Sequence, residues 1–87
     1  MAYNMTKMQV VEHLKEDAVY FPFAQIESYR LLQKQREKID IPADAFEDYA
    51  AFFADVRREC SDLVKKEPHN ENVDLWEEAI REIDKLI

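Results

Sequence analysis

The sequence predicts an all-α fold, a small antiparallel up-down four-helix bundle. Three observations carry that expectation: the 87 residues include no glycine, apolar residues recur at spacings of three and four, and prolines and asparagines fall between the periodic stretches. At average usage of about 7%, a chain of this length would carry roughly six glycines. Tight β-hairpins favour glycine where φ is positive, so a glycine-free chain loses its usual connectors between short strands. Helices joined by proline and asparagine loops remain.

The first helix is expected from Thr6 to Tyr20. Thr6-Lys7-Met8-Gln9 has the form of a capping box, in which hydroxyl and amide each satisfy an orphan backbone N–H. Met8, Val11, Leu14 and Ala18 follow at helical spacing, with Val10 widening the stripe and Glu12, His13, Glu16 and Asp17 facing away. Pro22 ends that stretch, because proline disfavours helical geometry in the residue before it while suiting the first turn of a new helix. The second helix is expected from Pro22 to Lys38, on the seam Phe23, Ile26, Tyr29, Leu32, Arg36 and Ile39. Its last turns, Gln33 to Lys38, are polar and should project into water.

Asp40-Ile41-Pro42 is the next break, with Asp44 placed to cap a third helix running to Lys66. Phe46, Tyr49, Phe53, Val56, Cys60 and Leu63 form an unbroken seam there. Ala45, Ala50, Phe52 and Val64 flank it, which makes this the central helix, touching more than one neighbour. The loop from Glu67 leads to a fourth helix, from Asn72 to Ile87, capped by Asn70 or Asn72 and carrying Val73, Trp76, Ile80, Ile83 and Ile87 on its seam. Residues 1–87 read as a single helical domain with short loops; a three-helix bundle with a kinked first helix is the alternative.

Composition excludes several functions. Phosphate-cradling loops, dinucleotide fingerprints and nucleophile elbows all need glycine where backbone turns tightly or approaches a ligand. The lone Cys60 closes no intramolecular disulfide, and with two distant histidines it completes no zinc site. The longest charge-free run, Ala18 to Ile26, is broken by Pro22 and falls far short of the about 20 residues that span a bilayer. No basic stretch followed by an apolar block marks an export signal, so the expected home is the cytoplasm, with no cofactor, no metal and no membrane partner.

Catalysis has little to work with. Cys60 sits in a seam, where a thiol packs as a small hydrophobe. His13 and Asp17 stand one turn apart and offer one edge of a metal site without the rest; His69 lies in a loop beside Pro68. The expectation is a protein that is not an enzyme.

Charge is the more informative property. The formal net charge is −7, which disfavours direct nucleic-acid binding. Residues 22–39 carry +2, whereas 40–66 carry −3 and 67–87 carry −5. Asp44, Asp48, Asp55, Glu59 and Asp62 fall along one side of the third helix, and Glu71, Asp74, Glu78 and Glu82 along one side of the fourth. Such rows suit docking on a basic protein, a nuclease or another nucleic-acid-binding protein, and the role of an inhibitor, antitoxin or immunity protein. Acids near helix starts also answer the macrodipole, and any bundle needs a solvated face. Glu77 and Arg81 are spaced as an ordinary surface pair. In length, acidity and helix content the chain resembles bacterial immunity proteins that neutralise ribonuclease toxins, a likeness of outline carried by no motif. The alternative function is a structural or self-assembling subunit, a homodimer in which Phe21, Phe23 and Phe52 complete the interface. The cluster Tyr20-Phe21-Pro22-Phe23 is either a plug for the bundle end or an exposed anchor.

Overall fold

A computed structural model describes residues 5–86 and contains four helices, α1 (Lys7–Glu16), α2 (Phe21–Gln35), α3 (Ala43–Lys66) and α4 (Val73–Leu86). The architecture is all-helical, a small four-helix bundle. Contacts between pairs establish the directions. Tyr29 of α2 meets Phe46, Tyr49 and Phe53 of α3, Phe21 meets Phe52, and Arg36 just past α2 lies over the Phe46 ring. Later residues of α2 thus face earlier residues of α3, and the two run antiparallel. Arg57 grips Asp84 across α3 and α4, which turn back on each other through the short 67–72 connection. Arg30 and Glu82, each nine residues into its helix, are paired, so α2 and α4 run side by side in the same direction.

The core is one cluster drawn from all four helices: Val10, Leu14 and Ala18; Phe21, Ile26 and Tyr29; Phe52, Phe53, Val56, Cys60 and Leu63; Trp76, Ala79 and Ile83. Helix α3 packs against α1, α2 and α4, as its two-sided apolar surface requires. Its seam is observed as read, with Phe46 and Tyr49 half-buried at the open end. The capping box is also present: Gln9 N–H donates to Thr6 Oγ1 at 3.2 Å and Thr6 N–H to Gln9 Oε1 at 2.9 Å.

Several boundaries move. Helix α1 stops at Glu16 rather than Tyr20, because Tyr20 and Phe21 N–H both turn back onto the Asp17 carbonyl. Ala18 stays buried outside any helix, so its i+4 spacing from Leu14 serves a turn. The buried residues of α1 are Val10 and Leu14, and Met8 lies 72% exposed; two residues of α-helix rotate it about 160° from Val10. Phe21, expected before the second helix, opens α2 instead, with Pro22 in the first turn. Helix α2 ends at Gln35, three residues short of the expected end, and Gln33 to Lys38 are exposed. Pro42 occupies the N-cap position of α3, and Asp44 sits uncapping in the first turn. Ile87 lies outside the described residues.

Helix ends here are closed without glycine. No described residue has positive φ, so none uses a left-handed cap, and α1 and α3 end on Asp17 and Glu67, which leave helical geometry while keeping φ negative. Asp17 N–H closes the last turn of α1 on His13 O, and the Leu14 and Lys15 carbonyls beyond it fall among those a helix end orphans. Both are taken by α4 and its approach: buried Trp76 Nε1–H donates to Leu14 O at 2.9 Å, and Asn72 Nδ2–H to Lys15 O at 3.2 Å. Asn72 is thereby drawn away from capping α4 with its side chain. Asn70 Oδ1 instead accepts Asn72 N–H at 2.8 Å and shapes the loop.

Candidate functional site

The nine carboxylates singled out by spacing do not form one surface. Arg57 reaches Asp84 on α4, and Asp44, Asp48, Asp55, Glu59 and Asp62 stand about 140–180° around α3 from Arg57. On α4, Glu82 stands about 160° from Asp84 and pairs with Arg30 of α2. The α3 row therefore lies on the flank turned away from α4, and the α4 row on the flank shared with α2. One flat partner surface meets one row at a time.

Within the α3 row, Asp44 is exposed and Asp48 and Asp62 half-exposed, while Asp55 Oδ1 accepts Arg58 Nη2–H at 2.8 Å. Glu59 leaves the surface, only 2% exposed. Two turns after buried Phe52 it stands within about 20° of that residue's direction around α3, on the border where acids meet the core face. Its Oε2 has no hydrogen-bond partner among the described residues and faces Arg58 Nε at 3.5 Å. Within the α4 row, Glu71 and Asp74 are exposed; Glu78 pairs with Arg81 at 3.0 Å, the partner expected for Glu77; Glu82 is held between Arg30 and Lys85. Among the described residues no cation pairs with Asp44, Asp62, Glu71 or Asp74.

The paired acids are electrostatically settled. The hydrogen bond from Arg30, then that from Lys85, holds the Glu82 carboxyl below its ordinary range. Arg57 does the same for Asp84, and Lys15 followed by Asn70 for Glu67. Burial, with Glu59 beside it, pushes the Cys60 thiol up to about 12, so it stays protonated and inert as a nucleophile at neutral pH.

The aromatic cluster divides. Phe21 and Pro22 are buried, Phe23 is half-buried and Tyr20 is 70% exposed. Phe21 and Phe52 pack edge to face inside one chain, 5.6 Å between centroids, which removes them from the dimer interface proposed for them on sequence grounds. His13 is exposed and stacks on Phe21 at 4.9 Å. Among the described residues no three His, Cys, Asp or Glu side chains come together to hold a metal ion, and no helix is long and apolar enough to cross a membrane.

One surface was not legible beforehand, the outer face of α2. Glu27, Ser28, Arg30, Leu31 and Lys34 line a shallow hollow of about 350 Å³, Leu31 being 57% exposed. The available signal was the doublet Leu31-Leu32: the seam takes Leu32, so Leu31 must point elsewhere. No protein-family model matches this chain, and neither does any curated protein or solved structure.

Proposed function

We propose that this protein is a non-enzymatic binding module whose unpaired carboxylates dock on a basic protein partner, in the manner of an inhibitor, antitoxin or immunity protein. The observation that carries this reading is the position of Asp44, Asp62, Glu71 and Asp74, outside both the core and the internal ion pairs of a chain with net charge −7. Such charges steer a cationic partner and set its orientation. Because the two rows occupy different flanks, the α3 row and the α4 row are separate candidates. Glu59 and Glu82 contribute to neither, the first being buried and the second held by Arg30.

The test uses tagged protein on lysate of its own source at low and high salt, with two charge-reversed variants, Asp44→Lys/Asp62→Lys and Glu71→Lys/Asp74→Lys. A basic protein retained at low salt, released at high salt and lost with one of the two variants supports the proposal and identifies the row. Retention undiminished by both variants, or capture of no basic protein, overturns it.

A further inference from the structure

Helices α2 and α4 each present an acid and a base three residues apart, in the same order along the chain. Glu27 precedes Arg30 and pairs with it at 2.7 Å; Glu78 precedes Arg81 and pairs with it at 3.0 Å. Both pairs border one flank, because Arg30 also bonds Glu82, one turn beyond Glu78. Two segments of the same polarity, laid antiparallel, set each acid against a base. With Arg30 opposite Glu78 of a second chain, Glu27 falls opposite Arg81, three residues away in each direction. Four residues the other way, Lys34 falls opposite Asp74. Lys34 and Asp74 are exposed, and neither has an ion-pair partner among the described residues.

A two-fold axis through the flank produces this antiparallel arrangement. It puts α2 of each copy over α4 of the other, so every opposition occurs twice. The flank is also divided in charge as such an interface requires, since 22–39 carry +2 and 67–87 carry −5. Leu31 supplies the exposed apolar side chain at the middle of the α2 face.

From these placements we infer that the α2–α4 flank is a self-complementary docking surface, and that its occupant is a second copy of this chain in an antiparallel two-fold dimer. The dimer leaves the α3 row open to a basic partner, because that row faces away from this flank, but it occupies the α4 row, Asp74 included. The Lys34→Glu substitution lies in neither row and therefore tests the dimer apart from the basic-partner reading. Interfaces of this polar kind associate weakly and loosen with salt.

The experiment is sedimentation equilibrium on the whole chain from 5 to 500 µM at low and high salt, as wild type, Lys34→Glu, Asp74→Lys, and the equimolar mixture of the two variants. Circular dichroism on each sample confirms that the helices persist. Wild type should dimerise more tightly at low salt. Each variant alone should dimerise at least about tenfold more weakly, since like charges then face each other twice. Their mixture should recover wild-type affinity, because in the mixed dimer both oppositions are again between unlike charges. A wild type that stays monomeric throughout at low salt overturns the inference. So does a dimer indifferent to either substitution, or a mixture no tighter than its components.

Discussion

Replacing Trp76 with phenylalanine tests how α1 is terminated. The indole is wholly buried and its N–H donates to the Leu14 carbonyl 62 residues earlier in the chain. Phenylalanine keeps an aromatic ring but leaves that buried carbonyl without its donor, which costs about 1–3 kcal/mol. Loss of the second ring from a fully packed site adds about 1–2 kcal/mol through transfer and residual cavity. The expected loss is about 2–5 kcal/mol, against the roughly 4–13 kcal/mol total typical of a chain this long. In thermal terms that is a fall of roughly 8–40 °C in Tm. Urea unfolding followed by circular dichroism at 222 nm measures it, since the substitution also removes the chain's single tryptophan. Asn72→Ala, which removes the second donor at a more exposed bond, should cost under about 1 kcal/mol and couple to the first by about 0.5 kcal/mol or more. A Trp76→Phe loss below about 1 kcal/mol, or amide exchange in the last turn of α1 unchanged by it, would refute the capping argument.

Three further outcomes follow from burial and ion pairing. Glu59→Leu should leave stability unchanged or raise it by up to about 2 kcal/mol in the same denaturation assay, since a buried carboxylate with an unbonded oxygen gives way to an apolar side chain; a loss above about 1 kcal/mol would show that the Arg58 contact outweighs burial. Cys60 should not react with a thiol reagent at pH 8 in the native protein and should react fully in denaturant, because its ionisation lies near 12. Stability should fall as pH drops below about 4.5, into the unfolded carboxylate range. Glu67, Glu82 and Asp84 are depressed in the fold by their cation partners, so the unfolded chain takes up protons first and the stabilisation present above that range is withdrawn. Thermal melts from pH 7 to pH 3 on wild type and Glu82→Gln check this, the variant being expected to lose less on acidification.

Much of the fold was written in the spacing of apolar residues, and what was missed has local causes. The seams of α3 and α4 were legible because Phe53, Val56, Cys60, Leu63, Trp76 and Ile83 must all avoid water from one side of a helix. Ala18 misled, since four residues after Leu14 is a helical spacing and also the reach of a tight turn that buries a small side chain. Pro42 displaced Asp44 as the cap because proline's fixed φ already supplies the extended entry to α3. The candidate site was legible only in part. Spacing put nine acids on two helix sides, but which of them stay available depends on partners from other helices. Arg30 could be seen in the sequence; that it would reach Glu82 could not, because nothing local relates residues 52 positions apart. Glu59 shows the same limit at closer range, as an acid at the edge of a row became an acid in the core.

The bond between Trp76 and Leu14 has a bearing on the order of folding during translation. At about 5–20 residues per second, roughly 3–12 s separate the synthesis of the carbonyl from that of its donor. Throughout that interval the nascent α1 lacks the group that seals its last turn, and ten residues are too few for a helix to persist alone in water. The α2–α3 hairpin, whose aromatic contacts are complete by Cys60, can form first, while α1 waits on a segment not yet made. A ribosome-bound chain stalled before Trp76 would therefore expose Val10 and Leu14, and release of α4 would consolidate both ends of the molecule in one cooperative step.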